Sequence, residues 1–177
     1  MQFSIFTRLE RDSKKSGFTL IEIIVAISVM TIGILAVYAL IPKVVSVTGT
    51  SLDRFRASQL AREGVELVRN IRDTNWLSGN NWDKYLTNCA DGCEMDYNDS
   101  IPVAYQDRYL RIDSNGFYNY GPVSPANPET KFKRKIIITQ STDIQGTDIL
   151  NVKVQVFWPG KGSPFEVEEN LYNWFSR

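Results

Sequence analysis

The sequence predicts an α+β fold in which one long N-terminal helix packs on an antiparallel β-sheet. Three observations predict this fold. An apolar run from Phe18 to Ile41 contains Glu22 as its sole charged residue, and an amphipathic pattern follows from residue 51. Strand-like segments with turn residues between them then end the chain. A chain of 177 residues has room for this helix and for one modest domain.

The apolar run is long enough to cross a bilayer, which takes about 20 residues. Lys14 and Lys15 lie just before it, and basic flanks stay on the cytoplasmic side of a membrane. The C-terminal part is therefore expected outside the cytoplasm. A lone carboxylate in hydrocarbon costs about 2.5 kcal/mol or more on insertion scales. We therefore expect Glu22 to have an ion-pair partner or a functional role.

The residues at the start of this run read Lys14-Lys15-Ser16-Gly17-Phe18-Thr19-Leu20-Ile21-Glu22. This motif closely resembles the class III signal of type IV prepilins and the related pseudopilins. The resemblance implies that a prepilin peptidase removes the leader, residues 1–17, by cutting between Gly17 and Phe18, and methylates the new terminus at Phe18. It also implies that Glu22 meets the terminal ammonium of a neighbouring pilin subunit, because each group is costly in hydrocarbon when alone.

The resemblance further implies a structural subunit of a type IV pilus or a related filament. Residues 18–50 are then the transmembrane and assembly helix, and residues 51–177 are an extracytoplasmic, pilin-like domain. The precursor is expected in the cytoplasmic membrane as a single-pass protein with a cytoplasmic N-terminus. After assembly it is expected in an extracellular or periplasmic filament.

Other interpretations of the same segment stay open. An ordinary secretory signal has an apolar core of about 7 to 15 residues, and Val37-Tyr38-Ala39 is a weak cleavage site for one. A plain single-span membrane anchor is another alternative, but it does not explain Gly-Phe at the start of the apolar run or the presence of Glu22. The alternatives in function are a pseudopilin of a type II secretion or DNA-uptake machine, and an uncleaved, membrane-anchored binding protein.

The long helix is expected from residue 18 to about 75, with weak places in it. Gly33 lowers helix propensity and Pro42 removes a backbone donor, so we predict a kink or local melting between these two residues, or at Gly49. In the resembling family such melting lets a subunit extend inside the filament. The alternative is a kink that only redirects the chain.

From residue 51 the helix is predicted to be amphipathic, with a stripe that packs on the sheet. The stripe contains Leu52, Phe55, Leu60, Leu67 and Ile71. After helix 51–75 we predict a loop region over residues 76–108 and a sheet over residues 109–177.

Turn chemistry defines the strands of the predicted sheet. Asn115-Gly116 predicts a hairpin, and a proline-rich loop follows it near residues 121–128. The remaining predicted strands are Lys131–Gln140, Ile149–Trp158 and Phe165–Tyr172. Alternating apolar and polar residues in these strands predict a sheet with one buried face.

Cys89 and Cys93 are the two cysteines of the chain. In an extracytoplasmic domain a disulfide is favoured, and the small ring that it closes would contribute about 2 kcal/mol in the chain-entropy model. This disulfide is expected to pin a surface loop. Two free thiols, or half of a metal site, are the alternatives.

Two charged segments are candidate binding sites. An acidic loop offers oxygen ligands for calcium, but its spacing does not match the EF-hand pattern, which favours a solvated loop. Its carboxylates are those of Asp91, Glu94, Asp96 and Asp99. The basic run Lys131–Lys135 places three lysines on one face of a strand, which suits DNA phosphates or an acidic neighbour. The interpretation favoured here is a solvated or edge strand that lysines protect from aggregation.

Composition argues against an enzyme. The chain has 20 basic and 20 acidic residues, a formal net charge of zero, and no histidine. It therefore lacks the commonest general base and the commonest metal ligand. A balanced charge also gives no general attraction to nucleic acid. We predict no catalytic residue, no cofactor and no metal site.

Overall fold

The computed structural model of the chain describes residues 17–142, 144–160 and 162–173. Apart from Gly17, the predicted leader lies outside these residues. The chain divides into two compact units, residues 1–48 and 49–177. The observed architecture is α+β, with one long helix and a five-stranded antiparallel sheet, which confirms the predicted fold class.

The elements occur along the chain as follows. They are α1 (Leu20–Leu77), a 3-10 turn (Thr87–Cys89), β1 (Cys93–Glu94), β2 (Val103–Ala104), β3 (Arg111–Ile112), β4 (Tyr118–Asn119), β5 (Lys133–Thr142), β6 (Asp148–Phe157) and β7 (Phe165–Tyr172).

In the first unit, α1 contains an 18-residue window with a mean hydropathy of 2.6 and no buried residue. By length and composition this segment can cross a membrane. The hydroxyls of Ser28 and Thr31 are satisfied within the helix, because Ser28 Oγ donates to the Ile24 carbonyl and Thr31 Oγ1 to the Ile27 carbonyl, each at 2.8 Å. Such bonding suits hydrocarbon, where no water is available to polar groups.

The helix continues without interruption through Gly33 and Pro42. The isolated chain is therefore not melted at either residue. A kink or melting there during assembly stays a prediction for the filament.

In the second unit, α1 packs on the sheet through small side chains. Its buried residues are Ala57, Leu60, Ala61, Gly64, Val65, Val68, Ile71, Arg72, Asn75 and Trp76. The predicted stripe was wrong at its start, because Leu52 and Phe55 are 52% and 62% exposed. The buried stripe begins at Ala57, and small residues in it let the helix approach the strands closely.

The helix ends two residues beyond the predicted boundary, because a C-terminal cap is present. Gly79 has a φ of 69° and donates its N–H to the Trp76 carbonyl, while the Asn80 N–H bonds the Asn75 carbonyl. This pair of bonds is the Schellman motif, in which glycine takes the left-handed position.

The main sheet has the strand order β2-β1-β5-β6-β7, and each neighbouring pair is antiparallel. Strand β5 pairs with β6 from Lys133↔Phe157 to Thr142↔Asp148. Along β6, Val152, Val154 and Val156 are fully buried and alternate with half-buried residues, which confirms the predicted buried face.

The boundary between loop and sheet differs from the prediction. Strands β1 and β2 lie within the predicted loop region and belong to the main sheet, whereas β3 and β4 form a separate two-stranded hairpin. The Asn115-Gly116 turn of this hairpin is confirmed, since Gly116 has a φ of 87°. A two-residue strand is too short to show a side-chain period, so β1 is recognised only by its pairing with β2 and β5 in the folded chain.

Cys89 and Cys93 form a disulfide with a Cα–Cα distance of 5.3 Å. Each cysteine is 1% exposed and belongs to the core between the helix and the sheet. The cysteines themselves are buried, whereas Ala90 and Asp91 between them are exposed, so the disulfide anchors a surface turn in the core. The disulfide joins the 3-10 turn to β1 inside the core.

Candidate functional site

The first turn of α1 is built from the Thr-Leu-Ile-Glu part of the motif. The Glu22 N–H bonds both the Thr19 carbonyl at 3.1 Å and the Thr19 hydroxyl oxygen at 3.3 Å. Threonine at the N-cap with glutamate three residues later is the sequence pattern of a capping box. Thr19 therefore starts the helix, and Phe18 lies before it.

The Gly17-Phe18 bond precedes the helix and is accessible in the isolated chain. Phe18 is 79% exposed. A Cβ atom added at Gly17 meets nothing within 4 Å. The chain itself therefore does not require glycine at this position, and a requirement for glycine would come from a partner such as a peptidase.

Glu22 lies in the first turn of α1. A carboxylate there interacts favourably with the positive end of the helix dipole. Across the residues that the structure describes, no hydrogen bond or ion pair to this carboxylate is found, whereas the Thr19, Ser28 and Thr31 hydroxyls bond the helix backbone. Glu22 is thus an acidic residue in an apolar segment, and its carboxylate has no partner among the described residues.

The acidic loop is structural. The buried Glu94 carboxylate accepts the N–H of Gln106 at 3.1 Å and of Arg108 at 3.0 Å, and it pairs with Arg108 Nε at 2.6 Å. Asp96 accepts the N–H of Tyr120, and Asp99 accepts the N–H of Asp96. Within the described ranges, no group of three or more metal-ligating side chains is found. Glu94 is 1% exposed, so the expectation of a solvated loop was wrong for this residue.

The lysines of the basic run Lys131–Lys135 contact other residues of the domain. Lys131 Nζ bonds Asp53 at 2.7 Å and Lys133 Nζ bonds Asp107 at 2.5 Å. Lys135 Nζ lies 5.2 Å from the centre of the Tyr105 ring. These ammonium groups already have partners within the domain.

Sequence reasoning missed Arg134, which is fully buried on the inner face of β5. Its guanidinium bonds the carbonyls of Leu60 at 3.1 Å and Met95 at 2.7 Å, and it lies 3.2 Å from Glu63. It therefore ties the helix to the segment after β1. The alternation of the strand places this residue inward, and that signal was available in the sequence.

The first turn and the fold resemble those of type IV pilin-like proteins, which combine an apolar N-terminal helix with an α+β domain. The family described as the prokaryotic N-terminal methylation motif matches residues 12–38. This match confirms the resemblance to type IV prepilins and pseudopilins, which are generally structural proteins. The motif and the helix are consistent with membrane anchoring. No curated protein and no solved structure matched the chain.

Proposed function

We propose that this chain is the precursor of a filament subunit of the type IV pilus class. A prepilin peptidase cuts between Gly17 and Phe18 and methylates the Phe18 amine. The apolar helix stores the subunit in the cytoplasmic membrane and then forms the filament core, while the domain of residues 49–177 decorates the filament surface.

The observation that supports this proposal is that the Glu22 carboxylate is unpaired among the described residues. The other polar side chains near it bond to the helix backbone, but its carboxylate has no partner in the described part of the chain. Cleavage after Gly17 creates an ammonium at Phe18, four residues away in sequence. An ammonium in the same position of a neighbouring subunit is the complementary charge, and pairing removes much of the cost of both groups in hydrocarbon.

The test compares Glu22→Ala with wild type in a strain that makes only one of the two proteins. The variant is expected to enter the membrane and to be cut after Gly17, because removal of a buried carboxylate makes insertion easier. It is expected to be reduced or absent in sheared filaments, because the neighbour's ammonium then stays unpaired in hydrocarbon. Immunoblots of membranes and of sheared filaments measure both fractions, and Ser28→Ala is the matched control in the same helix.

Filament incorporation of Glu22→Ala at the wild-type level would overturn the assembly contact. Mass analysis of the terminus separates the other interpretations. A methylated Phe18 supports the prepilin class, whereas an intact Met1 supports an uncleaved anchor. Recovery of long filaments separates a pilus subunit from a pseudopilin.

A further inference from the structure

A cleft of about 330 Å³ opens where β5 and β6 meet the segment after β2. Aromatic rings and charged groups line it together, and we name it the aromatic cleft. Its main lining residues are Tyr105, Asp107, Tyr109, Lys131, Lys133 and Phe157. Lys133 and Phe157 are partners in the β5–β6 ladder and are half-buried, while their neighbours Arg134 and Val156 are buried on the opposite face. Lys133 and Phe157 thus face away from the helix, whereas Lys131, which precedes β5, bonds Asp53 of α1.

The wall of the aromatic cleft is held in place by the fold. Asp107 has a φ of 59°, a left-handed conformation that non-glycine residues seldom adopt and that Asp and Asn tolerate best. The N–H groups on both sides of it, of Gln106 and Arg108, bond the buried Glu94 carboxylate. The Asp107 side chain is also held, because the Tyr105 hydroxyl donates a hydrogen bond to Asp107 Oδ1 at 2.7 Å. An unusual backbone conformation that several contacts enforce is typical of binding sites.

Charges in the aromatic cleft are paired. Lys133 bonds Asp107, and Lys131 bonds Asp53. The Lys133 hydrogen bond is the largest cause that lowers the pKa of the Asp107 carboxyl, and the same bond raises the pKa of Lys133, so both groups are charged at neutral pH. A phosphate would have to displace a carboxylate from its lysine. A neutral ligand with hydroxyl groups can instead bond the ion pair while it stays intact.

We propose that the aromatic cleft binds a neutral saccharide ring. The C–H face of a pyranose is apolar and carries partial positive charge, so it packs on the negative face of an aromatic ring. Lys133 Nζ lies 4.5 Å from the centre of the Tyr109 ring, so the pyranose takes the other face of that ring. Its hydroxyls both donate and accept hydrogen bonds, which suits the fixed acceptor Asp107 and the fixed donors Lys131 and Lys133. The volume falls within the range of small-ligand sites, about 300–1,000 Å³, which combine apolar walls with a few polar groups.

The test uses the purified full chain in a detergent without a sugar headgroup. Saturation-transfer NMR is recorded with cellotetraose, maltotetraose and chitotetraose as probes, and with an oligothymidylate as the competing class. At least one saccharide is expected to bind. Tyr109→Ala is expected to weaken that binding about tenfold, the loss that corresponds to one aromatic contact. Tyr172→Ala, which removes a tyrosine that is 43% exposed on β7, is the matched control and leaves binding unchanged.

A second variant keeps the proposal testable if Tyr109→Ala does not fold. Asp107→Asn keeps a residue type that tolerates the left-handed conformation, removes the fixed acceptor and is also expected to weaken saccharide binding. Circular dichroism checks that both variants are folded. The proposal is overturned if no saccharide binds the folded wild type, if binding survives both variants, or if only the oligothymidylate binds and depends on Tyr109. None of these outcomes depends on cleavage after Gly17 or on filament assembly.

Discussion

At the residue scale, the methylation motif combines two physical roles. Thr19 and Glu22 form the first turn of α1 through the bond from the Glu22 N–H to the Thr19 hydroxyl. The Glu22 carboxylate is at the same time available to another chain. Gly17 has neither of these roles, because an added Cβ meets no atom within 4 Å. A test at Gly17 therefore reports on the processing enzyme and not on the fold.

Gly17→Val is expected to accumulate as uncut precursor in the membrane. The peptidase must bring the Gly17 carbonyl close, and a branched side chain crowds that approach. Immunoblots that separate precursor from mature protein measure the effect. Gly33→Val is the control, since an added Cβ there also meets nothing within 4 Å in the isolated chain, and it should be cut normally. Normal maturation of Gly17→Val would contradict the prepilin assignment of this bond.

The Asp107–Lys133 pair gives a prediction for pH. The pKa of Asp107 in the folded chain is below its ordinary value of 3.8, chiefly because Lys133 donates a hydrogen bond to it. A lowered folded pKa stabilises the fold above the unfolded pKa, and this contribution is lost as the pH falls through the folded value. At neutral pH, Asp107→Asn is expected to unfold about 1–3 °C below wild type, since an exposed ion pair contributes under about 1 kcal/mol.

This difference in melting temperature is expected to shrink as the pH falls below the ordinary carboxyl pKa of 3.8 and to vanish below the lowered pKa of Asp107 in the folded chain. Thermal unfolding of both proteins across a pH series, followed by circular dichroism, measures it. Asp91→Asn removes an exposed carboxylate that has no ion pair among the residues described, and it should match wild type throughout. A difference for Asp107→Asn that persists unchanged at low pH would exclude the ion pair as its cause.

At the element scale, α1 and the sheet are joined by close approach and by one buried cation. Gly64 lies where an added Cβ would come within 2.8 Å of Val154 Cγ1 and 3.2 Å of Arg134 Cδ. Arg134 in turn bonds the Leu60 carbonyl of the helix. Hydrophobic periodicity does not show such a contact, because glycine and alanine contribute little to it. Small residues decide the distance between helix and sheet.

Gly64→Ala is expected to destabilise the domain by about 1–3 kcal/mol, because overpacking in a close contact displaces neighbouring side chains. Gly49→Ala is the matched control in the same helix, where an added Cβ meets nothing within 4 Å. The control is expected to be unchanged or more stable by about 0.5–1 kcal/mol, since alanine favours helix over glycine. Thermal unfolding of both variants measures this contrast, and equal stability of the two would contradict the packing described for Gly64.

At the scale of the whole molecule, the second unit is held by connections between segments that are distant in sequence. The disulfide attaches the 3-10 turn to β1 inside the core, and Glu94 of β1 holds the segment that lines the aromatic cleft. A short region without a clear sequence period thus connects the helix, the sheet and the aromatic cleft. Its stability decides how well the cleft is preorganised.

Replacement of both cysteines tests their burial. Cys89→Ala with Cys93→Ala is expected to cost about 2 kcal/mol, the loop-closure contribution of a short ring. Cys89→Ser with Cys93→Ser is expected to cost about 1–3 kcal/mol more, because it buries two hydroxyl groups in an apolar core. Chemical unfolding of the two double variants gives the difference. Equal stability would contradict the burial of the two cysteines.

The sequence by itself determined the features that depend on local chemistry. The motif around Gly17 and Glu22 resembles that of type IV prepilins, and this resemblance implied the class of protein, while alternation in β6 and β7 predicted the sheet with its buried face. The turn at Asn115-Gly116 was also readable, because its backbone conformation favours those residue types. Each of these signals lies within one short segment.

Only the tertiary structure decided what depends on partners from distant segments. It placed the cysteines in the core, exposed Leu52 and Phe55, and gave the two-residue strands β1 and β2 to the main sheet. It also buried Glu94 with Arg108 and gathered the aromatic cleft from the segment after β2 and from β5 and β6. The stabilising free energy of these features comes from burial and pairing between distant segments. A residue's type and its sequence neighbours do not specify such contacts.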